Sequence, residues 1–219
     1  MNQITAMKTE APLTNAGLPD LSAWEKATPV SVCSDWRGEH ADRQRETQAR
    51  VLWSDEFLFV QFLCRYCDIY VYDGGNCRRD QLWLRDVAEL FIRPGTDDPG
   101  HYREFEISPN GDWLDLDIDR GQKSILYCDL KSRVRINADA SVWSAELAIP
   151  FSCLTTAFHP AEVWRLNLFR IEGPESDRFY SAWRPTHTAK PNFHVPEHFG
   201  ELHFAPSECG SLLPLLRNP

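Results

Sequence analysis

Short apolar runs recur about every ten residues along this chain, each closed by Pro, Gly, Asn or Asp, a rhythm that admits strands but no long helix. Residues 57–64 are apolar on both faces and predict a central strand covered on both sides. Val87–Arg93 predicts another, stopped by Pro94-Gly95. Runs 102–108 and 113–118 flank Pro109-Asn110-Gly111-Asp112, and Asn-Gly between alternating runs is the strongest short hairpin signal. In the second arm Leu114, Leu116 and Ile118 point one way, and Asp115, Asp117 and Asp119 the other. Runs at 134–136, 142–149, 163–171, 179–183 and 201–204 complete the series. The pattern predicts one all-β domain over residues 21–206, a jelly-roll-like antiparallel β-sandwich. A polar N-terminal tail, 1–20, and a C-terminal tail, 207–219, flank it.

Composition narrows the function classes. A chain of 219 residues is long enough to bury roughly 70% of its unfolded surface in one core. Its net charge of -9 argues against nucleic acid, because phosphate binding needs a basic surface. Arg43 and Arg45 are flanked by Asp42 and Glu46, and Arg78-Arg79 is followed by Asp80. The same charge disfavours anionic membranes, and no apolar run approaches a membrane span. The first residues lack the apolar core of a secretory signal, and the seven cysteines are irregularly spaced. Free, mostly buried thiols in a reducing cytoplasm are the expectation.

Several motifs fail on physical grounds. His194-Val195-Pro196-Glu197-His198 has the spacing of an inverted zinc-peptidase motif, but Pro196 and Gly200 leave no helix to hold both histidines on one face. Cys64-Arg65-Tyr66-Cys67 is a lone pair at the end of a buried strand and reads as structural. No nucleophile elbow, phosphate loop or dinucleotide fingerprint is present. Glu104 and Glu106 with Asp115, Asp117 and Asp119 offer oxygens for a structural calcium, against a solvated hairpin face as the simpler reading; no other cofactor is expected. Trp83 opens the run Trp-Leu-Arg-Asp-Val-Ala-Glu-Leu-Phe, which carries one carboxylate, Glu89, in an apolar strand. A ring at a strand mouth beside an acid offers an apolar plate and a hydrogen-bond acceptor.

From Trp24 to Phe204 the order of segments resembles family 9 carbohydrate-binding modules and their DOMON-like relatives. The matching places are Val51 through Val60, the Trp83-x-x-Asp86-x-x-Glu89-x-Phe91 signature, and Phe105 through Gly111. Trp143 through Phe151 follows, then Trp164 through Arg170 with Trp183, Phe193 and Phe199-Gly200. The resemblance implies a non-catalytic module that holds the terminal ring of a mono- or oligosaccharide between two aromatic plates, Trp83 and Phe193, with Glu89 among the polar contacts. Sugar-binding members carry Trp where this chain has Phe193, and Arg where it has Glu106. Asn167, able to donate and accept, and the planar Arg170 join the candidates, as does Trp183, which stands where a strand ends. The resemblance also implies an extracellular or periplasmic alternative for location, and a glycoside hydrolase as a partner. Two other readings stay open: a haem or electron-transfer domain with histidine ligands from His101, His187, His194 or His203, and a glycoside-active hydrolase or its accessory domain.

Overall fold

Period-two alternation in the central strands builds two apolar faces, and the fold buries both. The computed structural model describes residues 2–95 and 97–207. Among them the strands are β1 (Gln3–Lys8), β2 (Val30–Val32), β3 (Thr47–Trp53), β4 (Phe57–Arg65), β5 (Val87–Arg93), β6 (His101–Ile107) and β7 (Trp113–Asp119). They continue as β8 (Gln122–Ile125), β9 (Lys131–Asn137), β10 (Val142–Pro150), β11 (Trp164–Glu172), β12 (Phe179–Ala182) and β13 (Gly200–Ala205). One curled sheet runs β8-β7-β6-β5-β11-β13-β1-β3-β4-β10-β9, with β12 added beside β11 and β2 beside β3. The all-β sandwich expected from the sequence is therefore the architecture observed. Among the described residues helical content is limited to 3-10 segments of three to six residues, one or two turns, and no helix is long and apolar enough to cross a membrane.

The curl brings β4 and β10 over β5, β6 and β11. Val60 and Phe62 of β4, and Trp143, Ala145 and Leu147 of β10, share one cluster with Leu90 of β5, Phe105 of β6 and Leu166 and Leu168 of β11. Trp143 and Trp164 are fully buried there, and truncating an aromatic in such a core typically costs about 3–5 kcal/mol. A second cluster lies on the outer side of β5, β6, β7 and β11, under the 183–199 loop. A third packs Leu18 and Trp24 onto Leu52 and Phe59, so β4 is covered on both faces as its sequence demands. The hairpin at 109–112 closes with Ser108 N–H donating to Asp112 O at 2.9 Å, and Gly111 takes φ 86°, a value that favours glycine. Burial pushes the Cys64 thiol up to about 11, whereas Cys67 is exposed, which splits the Cys-x-x-Cys pair between two environments.

The N-terminal expectation needs correction. Residues 3–8 are a strand, not a tail, and β1 lies between β13 and β3, parallel to both. Only Ile4 and Ala6 are buried on it, too weak an alternation to be read as a strand. Its place comes from the facing ladders of β13 and β3, whose backbone groups need partners. The short edge strand β8, exposed at every residue, also escaped the sequence pattern. The C-terminal tail, 207–219, lies outside the described residues apart from Ser207.

Deleting residues 1–8 removes two ladders and the burial of Ile4 and Ala6, so unfolding stability is expected to fall by about 3 kcal/mol or more in urea titrations. An unchanged midpoint would show that β1 contributes nothing.

Candidate functional site

On the outer face, β5 presents Val87, Glu89 and Phe91, β6 presents Tyr102, Glu104 and Glu106, and β11 presents Phe169 and Ile171. Register puts Glu89 between Glu106 on one side and Phe169 on the other, and Phe91 beside Glu104. Three carboxyl groups thus meet in the middle of an apolar sheet face. Two segments roof it. Gln81, in a left-handed conformation at φ 56°, turns the chain into the 3-10 segment Leu82–Leu84, where Leu82 is buried and Trp83 borders the cavity. The 183–199 loop is fastened by Thr186 N–H to Trp36 O at 2.7 Å and by the Trp36 indole N–H to Thr188 O at 2.9 Å. It lays Phe193 flat on Phe169, ring centroids 4.0 Å apart and planes within 10°.

The cavity, open to solvent on one side, measures about 250 Å³. Trp83, Phe91, Tyr180 and Phe193 give aromatic walls, and Glu89, Glu104, Lys123 and His194 give polar ones. Glu89 and Glu104 are 1% and 2% exposed, and Oε1 of Glu89 and Oε2 of Glu104 have no hydrogen-bond partner. Both oxygens of the buried Glu106 are likewise without one. Such acceptors are costly to leave unmet. Burial, reinforced by the neighbouring Glu104, holds the Glu89 carboxyl well above its ordinary range. Burial and the charges of Glu104 and Glu89 do the same to Glu106, and burial raises Glu104.

The cation of the site comes from the unforeseen strand β8. Lys123 Nζ stands 4.0 Å from Glu104 Oε2, 5.1 Å from the Trp83 ring centroid and 2.8 Å from His194 Nε2. Burial, with Lys123 adding to it, lowers His194 to about 4, so the imidazole is neutral. An ammonium only donates, which makes Nε2 the acceptor and leaves Nδ1–H to donate to Tyr102 Oη at 2.9 Å. The Tyr102 hydroxyl proton is then free to donate elsewhere.

The sequence candidates divide. Trp83, Glu89 and Phe193 border one cavity, and Glu106 sits buried beside Glu89 without forming its wall. Asn167 is elsewhere: its Nδ2 donates to Arg184 O, and its Oδ1 accepts from the Leu168 and Arg184 amides, each at 2.9 Å, which joins the 183–199 loop to β11. Arg170 points to the opposite, inter-sheet face, where it donates to Ile171 O and lies over Trp143. Trp183 packs against the inter-sheet core beside Gly200, where any side chain would strike its ring. Alternation explains Arg170, since it is one residue out of phase with Phe169 and Ile171. Glu104, Lys123, Tyr180 and His194 were missed as site residues. The unpaired run of acids on β6 was a usable signal for Glu104, whereas nothing local marks Lys123.

The calcium arrangement is not formed, because register separates its acids. Glu104 and Glu106 face outward with Leu114 and Leu116, while Asp115 is buried on the other side, accepting from Arg78 Nε at 2.7 Å and Cys128 N–H at 2.6 Å. Asp117 is held by His101 at 2.8 Å. The candidate haem histidines have separate partners. His101 pairs with Asp117, His194 with Tyr102, and His203 with Glu201, while His187 lies edge-on to His198 at 5.2 Å. Asp86 of the Trp83–Phe91 signature is a clamp, accepting from Gly173 N–H at 2.7 Å and Tyr70 N–H at 3.2 Å.

No family model matches the chain. It is 23% identical over 176 residues to an extracellular protein of Arthroderma benhamiae, spanning 73% of this chain and 78% of that one. It is 28% identical over 131 residues to the human UPF0462 protein C4orf33, spanning 57% of this chain and 62% of the relative. In structure it is similar to a Bacteroides uniformis protein to which carbohydrate binding is ascribed, with TM-score 0.74, 16% identity and 93% and 99% of the two chains covered. It is also similar to a family 9 carbohydrate-binding module of Caldicellulosiruptor kristjanssonii in complex with cellotriose, with TM-score 0.66, 15% identity and 99% and 100% coverage. The same organism's module in complex with glucose gives TM-score 0.65 at 14% identity, covering 97% and 100%. The fold is thus that of family 9 carbohydrate-binding modules.

The raised carboxyl groups set the sign of a pH effect. The native state keeps protons on Glu89 and Glu106 that the unfolded chain releases, so stability falls as pH rises from about 4.5 through the native values. Glu106→Gln removes one buried charge and is expected to raise stability at about pH 8 by about 1 kcal/mol or more, with a smaller loss between about pH 5 and pH 8. Urea midpoints at both pH values check it; identical slopes for both proteins would remove Glu106 as a source.

Proposed function

We propose that this protein is a non-catalytic carbohydrate-binding module whose cavity takes one terminal sugar ring against Trp83 and Phe193. The observation that carries this reading is the pairing of aromatic walls with the buried carboxyl group of Glu89, whose Oε1 has no partner. A pyranose has the complementary surface, with an apolar C–H face for the rings and hydroxyl donors at its rim for the acids. The shared fold with modules captured with glucose and cellotriose supports the same reading. The carboxyl groups here serve as hydrogen-bonding groups rather than as an acid–base pair. A partner bearing the catalytic machinery, such as a glycoside hydrolase, is the corresponding proposal for the module's setting.

The site is small, so affinity is expected between about millimolar and micromolar, or roughly -4 to -8 kcal/mol. Glucose, xylose or their oligomers are expected to quench Trp emission, and Trp83→Ala to abolish the response with little change in melting temperature. Phe193→Ala is expected to weaken binding and also to destabilise the fold by about 3 kcal/mol, because Phe193 is 7% exposed and stacked on Phe169. A broad glycan panel silent at millimolar sugar would overturn the proposal.

A further inference from the structure

The cavity face holds more acidic groups than basic ones. Glu89, Glu104 and Glu106 are all buried on one face, yet Lys123 is the cation that faces them, and it leans to Glu104 and His194 rather than to Glu89. Arg170, the other nearby cation, lies on the far side of β11 with its guanidinium under Trp143. Glu89 is therefore left with an open acceptor, Oε1, no ion-pair partner among the described residues, and aromatic rings around it. Lys123 already shows what this lining attracts, its ammonium standing over the Trp83 ring and beside a carboxylate.

We infer that the ligand carries an ammonium group: the site selects an amino sugar with a free amine, seated with its ammonium against Glu89 while Lys123 keeps Glu104 and His194. The inference rests on the carbohydrate reading above and names the sugar class. A neutral sugar gives Glu89 a hydroxyl hydrogen bond but no counter-charge that would let its carboxyl ionise. An ammonium supplies both, and charge-assisted hydrogen bonds are about twice as strong as neutral ones. The raised Glu89 carboxyl fits the same picture, because in the empty cavity a proton takes the place a ligand cation would fill.

The test is calorimetric titration of the full chain with glucosamine, glucose and N-acetylglucosamine at about pH 6.5, where an alkyl amine is protonated. Glucosamine is expected to bind about tenfold tighter than either neutral sugar. Glu89→Gln, which keeps the shape and removes the charge, is expected to bring the glucosamine-to-glucose ratio to about one. Thermal melting shows whether that variant folds; if it does not, Glu104→Gln serves instead and is expected to reduce the ratio by a smaller factor. If glucose equals or exceeds glucosamine, or if the ratio survives in the folded Glu89→Gln variant, the amine inference is overturned and the carbohydrate reading stands. If no sugar binds, both fall.

Discussion

The pairing of β5 with β11 at the centre of the sheet is the constraint on which the rest depends. Alternate residues of these two strands serve different purposes. Leu90, Leu166 and Leu168 enter the inter-sheet core, while Glu89, Phe91 and Ile171 line the cavity and Phe169 supports Phe193 beside them. A slip of one residue would exchange the two sets, driving Glu89 into the main core and Leu90 toward the cavity. The paired strands thus hold core and site in one register, and neither can drift without the other.

Around that floor, the site is assembled from irregular chain held by a few buried polar anchors. Asp86 ties the segment bearing Trp83 to the loop after β11, and Asn167 ties the loop bearing Phe193 to β11 itself. These side chains resemble ligand-binding groups in sequence because they are polar residues in apolar strands. In the fold their hydrogen-bonding capacity is met by backbone, so they position the walls instead of touching what enters.

The acids of the floor are of the opposite kind, buried with acceptors unmet. A stable protein leaves such groups unpaired only where something else repays the cost. Their cluster, set against aromatic walls and a single lysine, sets this outer face apart from the inter-sheet core. The 183–199 loop then has a double purpose, since Phe193 both covers Phe169 and borders the cavity, and His194 fixes Lys123.

Strand periodicity and turn residues were enough to read the sandwich and most of its strands. Those are local properties: a side chain's face follows from its place in an alternating run. What the sequence left open was every assignment that depends on distant chain. Gln3–Lys8 becomes a strand because two ladders flank it, and Lys123 reaches the acids from an edge strand without a pattern of its own. Charge complementarity inside a cavity is a property of juxtaposed strands, so only the tertiary structure could decide it.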